Sequence, residues 1–104
     1  MKIQMKIWFE EKDQKVFGEG PYQLLKGVEK HGSLRKAALE MDMSYSKAWS
    51  LIRFIEEELK IRLLDKSIGG HDGGGSRITD EARELMEKYQ TISSKMQEQL
   101  EEYK

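Results

Sequence analysis

The spacing of hydrophobic positions changes several times along the chain, and each change marks an element. From Lys2 to Phe9 the residues alternate: Ile3, Met5, Ile7 and Phe9 fall on one side, Lys2, Gln4 and Lys6 on the other. A period of two over this length predicts a half-buried strand. The polar run Glu10 to Lys15 predicts a turn and Val16-Phe17 a short return strand, so residues 2–18 read as a hairpin ended by Gly18 and Gly20. Pro21 suits the start of a helix, because its φ is preset and its missing N–H is not needed there. Leu24, Leu25 and Val28 then recur at helical spacing as far as His31, where Gly32 supplies a left-handed stop. Gly27 inside this helix is costly unless another helix approaches closely.

Residues 33–59 predict two helices joined by a tight turn. Ser33 is a natural N-cap, since its hydroxyl accepts from a backbone N–H that has no partner inside the helix. Leu34, Ala37, Ala38 and Met41 form the buried stripe, and the small Ala37-Ala38 pair lets a neighbouring helix come close. Met41-Asp42-Met43 is the turn and Ser44 caps again. The helix from Tyr45 to about Leu59 buries Ala48, Leu51, Ile52, Ile55 and Leu59 at spacings of three and four. Its opposite face, at roughly 100° per residue, is led by Ser46, Ser50, Arg53 and Glu57, flanked by Lys47 and Trp49.

Ile61, Leu63 and Leu64 alternate as a strand, and Ile78 closes a return strand, so residues 61–78 predict a second hairpin. Between them lie five glycines in the seven residues 69–75. A hairpin with a long tip directly after the second helix of such a pair is a wing. Thr79 then caps a last helix, with Asp80, Glu81 and Glu84 at the positive end of its dipole. Leu85, Tyr89, Ile92, Met96 and Tyr103 follow a three-four rhythm, with Leu100 compensating for Gln99. Roughly 25 residues of helix extend ~37 Å, too far to pack wholly on so small a domain, and a dimerisation helix is its simplest use. The expected fold is therefore α+β and mostly helical. Residues 1–78 form a winged helix-turn-helix with an N-terminal β-hairpin, and residues 79–104 a long C-terminal dimerisation helix.

A chain of 104 residues is the size of one domain with a modest core. No apolar run approaches the ~20 residues of a membrane span, and the alternating N-terminus lacks the continuous apolar stretch of a signal peptide. The expectation is a soluble, cytoplasmic protein with no membrane partner. The absence of cysteine excludes disulfides, thiolate metal sites and a cysteine nucleophile. The net charge of −1 runs against the basic excess usual in nucleic-acid binders, but the charge is unevenly spread. Residues 31–66 carry seven Lys/Arg against six acids, residues 67–104 five against eight, and from Tyr45 to Ile55 there are two bases and no acid. A local basic face can bind phosphate whatever the total.

A helix of this kind inserts its N-terminal part into a DNA major groove. Tyr45, Ser46, Lys47, Ser50 and Arg53 are the candidates for bases and phosphates there, with Glu56, Glu57 and Glu58 left outside. Trp49 on the flank reads either as packing or as a base-stacking residue. Ser33, Arg35, Lys36, Ser44, Lys66, Ser76 and Arg77 are candidate phosphate contacts or positioning groups, and His71 is within the wing's reach of the backbone. The glycine loop matches neither GxxxxGK[ST] nor GxGxxG and precedes no strand-to-helix turn, which argues against a nucleotide cradle and leaves a plain connector as its other reading. His71-Asp72 alone is too little for a metal site. No catalytic constellation stands out, so neither an enzyme nor a cofactor is expected.

The stretches Gly32-Ser33-Leu34-Arg35-Lys36-Ala37-Ala38 and Met43-Ser44-Tyr45-Ser46-Lys47-Ala48-Trp49 resemble a known family. So do Leu64 to Gly70, Gly73 to Gly75, Ile78-Thr79 and the hairpin end Lys15-Val16-Phe17. Together they are similar to the DNA-binding domain of the molybdate-responsive bacterial regulators of the ModE family, and more distantly to the LysR-type helix-turn-helix. The resemblance covers about residues 3–90. It implies a dimeric winged-helix transcription factor with the helix from Tyr45 in the major groove. In that family a separate C-terminal region binds molybdate, and this chain ends at Lys104. The expectation is a stand-alone form with no molybdate site of its own, either constitutive or controlled by a separate effector-binding protein. It would bind an inverted-repeat operator in double-stranded DNA as a homodimer through Leu85, Tyr89, Ile92, Met96, Leu100 and Tyr103. Two other readings stay open: a winged helix that binds protein, with the coiled coil as its working surface, and a small-ligand sensor built on the glycine loop.

Overall fold

The computed structural model describes residues 1–67 and 75–104. The His71 and Asp72 readings and the wing's tip lie outside the described residues. The elements run β1 (Phe9–Glu11), β2 (Gln14–Phe17), α1 (Glu19–His31), α2 (Leu34–Glu40), α3 (Tyr45–Leu59), β3 (Leu64–Ser67), β4 (Gly75–Ile78) and α4 (Asp80–Glu101). Two two-stranded antiparallel sheets, β1-β2 and β3-β4, flank the helices, an α+β winged helix-turn-helix.

The first hairpin is shorter than its pattern. Residues 1–8 form no strand, and Ile3 and Met5 are each 39% exposed. Alternation fixes which side chains share a face, but a strand also needs a partner. Here β2 ends at Phe17 and α1 begins at Glu19, so no chain remains to pair with residues 2–8. The turn is tight, with Lys12 and Asp13 both left-handed at φ 54° and 62°, the conformation that matches strand twist in a two-residue hairpin. Phe9 pairs with Phe17 and Glu10 with Lys15, which leaves Val16 as a bulge. The bulge explains how the consecutive residues Val16 and Phe17 both point inward and are both buried.

Helix α1 is the centre of the domain, touching α2, α3, α4, β2 and β4. Tyr22, Leu24, Leu25 and Val28 are buried on it, and Gly32, at φ 67°, returns its N–H to the Val28 carbonyl. Gly27 does admit a neighbour: a Cβ built there would lie 2.8 Å from the Cβ of Ala37. Each of the three hydroxyl caps read from the sequence is present. Ser33 Oγ accepts from Lys36 N at 3.1 Å, Ser44 Oγ from Lys47 N at 3.1 Å, and Thr79 Oγ1 from Ala82 N at 3.0 Å.

The expected strand over Ile61–Leu64 begins only at Leu64. Helix α3 stops on Lys60 in the left-handed region, and the Glu56 carboxylate accepts from Leu63 N at 2.7 Å. The chain between is therefore used up in leaving the helix. Thr79 closes the base of the wing, donating its hydroxyl to the Arg62 carbonyl and its N–H to that of Leu63. Ser76 N–H donates to the Gly32 carbonyl at 2.9 Å, tying β4 to the start of the helix-turn-helix.

Helix α4 starts in the core and ends outside it. Ala82, Met86 and Tyr89 are buried, whereas Met96 is 43% and Tyr103 77% exposed. Tyr89 was expected on a dimer seam, and the structure corrects this: at 3% exposure it sits among Phe9, Phe17 and Tyr22, with ring centroids 5.3–5.6 Å away. Its hydroxyl donates to the Ile7 carbonyl at 3.0 Å and lies 3.2 Å from the Glu19 carboxylate. Burial pushes the phenol's pKa up, and the neighbouring Glu19 adds to the shift. Leu85 is half-buried and packs against the same core. Ile92 and Leu100 are half-buried, and Tyr103 lies beyond the helix end at Glu101.

At the far ends of α1 and α2 the His31 imidazole meets the Glu40 carboxylate, with Lys30 Nζ 4.0 Å from it. The hydrogen bond from His31, then the charge of Lys30, hold the Glu40 carboxyl below its ordinary pKa. A depressed carboxyl contributes stability that is present above its unfolded pKa and lost as pH falls through the folded one. Melting temperatures of the protein and of Glu40→Gln should therefore differ near neutral pH and converge as the pH falls through the lowered pKa of Glu40. A gap that persists in acid would show that the carboxylate charge is not its source.

Candidate nucleic-acid interface

The helix-turn-helix presents α3 through two local devices. Asp42 takes a left-handed φ of 54°, which turns the chain sharply after α2, and Ser44 caps α3 so that its first turn starts at Tyr45. Ala48, Ile52 and Ile55 are buried beneath, with Leu51, Phe54 and Leu59 packed alongside. What remains outward is the predicted face: Tyr45, Ser46, Lys47, Ser50 and Arg53 are all exposed, and Trp49 is half-buried. Arg35 and Lys36 on α2 and Ser44 in the turn are exposed too, while Ser33 is half-buried. The α3 N-terminus carries the positive end of a 15-residue helix, beside Lys47, a setting that favours an anion.

The charge distribution accounts for the −1 total. Among the described residues the ion pairs use Lys26, Lys30, His31, Arg62, Arg83 and Lys104, and none includes Arg35, Lys36, Lys47, Arg53, Lys66 or Arg77. None of the basic residues singled out as DNA candidates on α2, α3 and the strands of the wing is thus held in a salt bridge within the described chain, although Asp65 lies across from Arg77 and Glu56 and Glu57 share a cleft with Arg53. Among the acids that balance the sum, Glu10, Glu11 and Asp13 lie in the first hairpin, Glu56, Glu57 and Glu58 at the end of α3, and six lie along α4.

Two aromatic residues organise the cations. The Arg35 guanidinium lies over the Tyr45 ring, 4.2 Å from its centroid, although the two come from different helices. One turn on, Trp49 Nε1 donates to the Tyr45 hydroxyl at 2.9 Å, with the rings edge to face at 6.5 Å. Another turn on, Arg53 lies 5.4 Å from the Trp49 ring centroid. The spacing Tyr45, Trp49, Arg53 is the signal for this stripe in the sequence, because residues four apart stack along a helix. The place of Arg35 at its head has no such local signal.

The wing is less uniform than expected. Leu64 pairs with Ile78, Asp65 with Arg77 and Lys66 with Ser76. Directly opposed residues share a face and successive ones alternate, so Lys66 and Ser76 lie on the Leu64/Ile78 face and Arg77 on the other. Lys66 and Arg77 are exposed and Ser76 is half-buried, but the two cations point to opposite sides of the hairpin. Two residues missing from the sequence-derived set also matter. Glu56 fixes the exit from α3 through Leu63, and Arg62 lines a cleft of about 340 Å³ with Trp49, Arg53, Glu56, Glu57 and Leu64. Arg62 pairs with Asp65 at 3.4 Å and donates to the Leu64 carbonyl.

No group of three or more His, Cys, Asp or Glu side chains suited to a metal ion occurs among the described residues, and no helix there is long and apolar enough to cross a membrane. The solved structures that this chain resembles include "Crystal structure of CbnR_DBD-DNA complex", with a TM-score of 0.62 at 17% identity over 81% of this chain and 91% of that one. Another is "Crystal Structure of BenM_DBD/benA site 1 DNA Complex", with a TM-score of 0.59 at 20% identity over 81% and 89%. Both show the fold. In sequence the chain is 30% identical over 79 residues to the molybdenum transport protein ModE of Azotobacter vinelandii, covering 76% of this chain and 29% of that protein. It is 31% identical over 70 residues to the transcriptional regulator ModE of Haemophilus influenzae, covering 67% and 28%. With the DNA-binding transcriptional dual regulator ModE of Escherichia coli K12 it shares 28% over 81 residues, covering 77% and 31%. The chain thus spans less than a third of the length of each of these relatives. Residues 22–83, from α1 through the first turn of α4, match the model of the bacterial regulatory helix-turn-helix protein, lysR family. The chain belongs to that family, and it is a DNA-binding transcriptional regulator domain rather than an enzyme.

Proposed function

We propose that the chain is a cytoplasmic regulator that binds an inverted-repeat operator as a homodimer, with the N-terminal half of α3 in the major groove. The observation that carries this reading is the stripe of cations, none held in a salt bridge among the described residues, on the capped start of α3 and on the neighbouring α2, beside the wing. Ser46, Ser50 and Arg53 offer donors to base edges. Arg35, Lys36, Lys47 and the serine hydroxyls at 33 and 44 offer donors to phosphates, with Tyr45 and Trp49 between them. Lys66 and Ser76 on one face of the wing, and Arg77 on the other, bracket the backbone on either side of the hairpin. Pairing uses Ile92, Met96 and Leu100 on the half of α4 that projects from the core, with Tyr103 just past its end and Leu85 at its base.

One experiment tests the whole reading. Genomic fragments bound by the purified protein are selected, sequenced and rebound at increasing salt. The expected result is an inverted repeat with half-sites one or more helical turns apart. Its affinity should fall by about 10³ or more between 50 and 200 mM salt if six or more phosphates are neutralised. A single half-site would remove the homodimer. No enriched motif would remove sequence-specific binding and favour a protein partner.

A further inference from the structure

Arg35 and Arg53 are the ends of a continuous stripe, and what lies between them is not inert packing. From one end to the other it runs guanidinium, phenol, indole, guanidinium, with contacts of 4.2 Å, 2.9 Å and 5.4 Å. Tyr45 is 37% exposed and Trp49 half-buried, so the faces of both rings that do not touch the core are available to the arginines. An exposed arginine normally samples many rotamers and surrenders that freedom on binding. A ring face beneath the guanidinium restricts it beforehand, through the attraction of a cation for the negative π face.

We propose that Tyr45 and Trp49 are positioning residues that hold Arg35 and Arg53 in fixed places on the DNA-reading face, and that Tyr45 adds a hydrogen-bond donor of its own. This rests on the major-groove role proposed for α3. The phenol oxygen already accepts the indole N–H, so its own proton is the one left to give, and a hydroxyl that accepts one hydrogen bond donates more strongly in the next. The stripe therefore offers donors at three points: the Arg35 guanidinium, the Tyr45 hydroxyl and the Arg53 guanidinium, and neither guanidinium is held in a salt bridge among the described residues. Its chemical complement is a run of acceptors. Arg53, two turns into α3, fits the O6/N7 edge of a guanine, the usual bidentate partner of arginine. Arg35, on the helix that crosses the backbone, fits a phosphate. Trp49 rests one side on the core and in this reading is not a base-stacking residue. It transmits the position of Tyr45 to Arg53.

A double-mutant cycle on the selected operator reads this directly. Trp49→Leu should weaken binding roughly three- to thirtyfold, the range of a cation–π contact. The double variant Trp49→Leu/Arg53→Ala should bind no more weakly than Arg53→Ala alone, because the indole acts only through the guanidinium. Trp49 carries no charge, so its loss should leave the slope of log affinity against log salt unchanged, whereas Arg35→Ala should lower that slope by about 1. Tyr45→Phe keeps the ring beneath Arg35 but removes the oxygen that receives the indole, and should cut the Trp49–Arg53 coupling while sparing the Arg35 effect. Trp49→Phe, which preserves a ring, serves if the leucine variant does not fold, and should recover most of the affinity. Losses that multiply in the double variant, or affinity unchanged by Trp49→Leu, would overturn the positioning role and leave operator binding intact. A wild-type protein that selects no operator would overturn both.

Discussion

Phe17→Ala is expected to lower the free energy of unfolding by about 3–5 kcal/mol, the cost of emptying a large aromatic site in a packed core. Phe17 is 0% exposed, and its ring meets Tyr89 edge to face at 5.6 Å and Phe9 at 6.2 Å. Through it the β1-β2 hairpin docks on the distant helix α4, where Tyr89 meets Phe9 and Phe17 of the hairpin and Tyr22 of α1. The bulge at Val16 commits the local backbone to pointing Phe17 inward, which limits how far neighbours can collapse into the space. A domain of this size is stable by only ~5–15 kcal/mol, so the loss is a large part of the total. Urea unfolding reads it as a fall in midpoint with the slope preserved. A loss under about 1 kcal/mol would mean that the aromatic cluster repacks without Phe17, and that the hairpin is an appendage.

The same cluster separates what was legible in the sequence from what was not. The caps at Ser33, Ser44 and Thr79 were legible because a cap is a contact over three residues, decided by the residue type and the helix after it. The outward face of α3 was legible because it is the complement of a buried stripe with period 3.6. Gly27 and Ala37 gave their close approach away by size alone. Tyr89 was not legible. It falls on the rhythm of Leu85, Ile92 and Met96, and only the docking of a hairpin more than 70 residues earlier turns it from seam to core. Residues 2–8 failed in the reverse sense, since their pattern specified a face but not the neighbour needed to make a strand. In the wing, the pattern gave two strands, but the opposite facing of Lys66 and Arg77 follows from a register that the sequence alone does not set.

The formal charge misled for a related reason. A sum over 104 residues treats every acid as a neighbour of every base, whereas the ion pairs among the described residues lie on α1, the end of α2, the passage from α3 into β3, and α4 with the C-terminal residue. With a screening length of ~8–10 Å, an approaching phosphate at α3 responds to Arg35, Lys47 and Arg53 far more than to the acids of the projecting half of α4. Local potential, rather than net charge, governs whether this face binds DNA.

Gly27→Ala is expected to damage both stability and DNA binding, and its suppressor is predictable. The new methyl would lie 2.8 Å from Ala37 Cβ and 3.2 Å from Ala37 Cα. Neither neighbour is a flexible side-chain end, so relief requires α1 and α2 to separate. Overpacking of this kind costs about 1–3 kcal/mol, against which alanine returns up to ~1 kcal/mol of helix propensity. The net loss should therefore reach about 2 kcal/mol. Separation moves α2 relative to α3, so the Arg35–Tyr45 contact opens and operator affinity falls along with the urea midpoint. Ala37→Gly in the same chain removes the closer clash and gives back ~1 kcal/mol of propensity, so the double variant should return close to wild type in both measurements. Ala37→Gly alone should lose only that propensity and whatever packing its methyl supplied. If Gly27→Ala instead stabilises the domain with operator affinity unchanged, the α1–α2 contact is looser than 2.8 Å implies. A double variant less stable than either single would show that the two sites do not share one clash. The predicted rescue is the sharper observation, because helix propensity alone makes the two substitutions simply additive, whereas a shared steric contact requires the combination to do better than their sum.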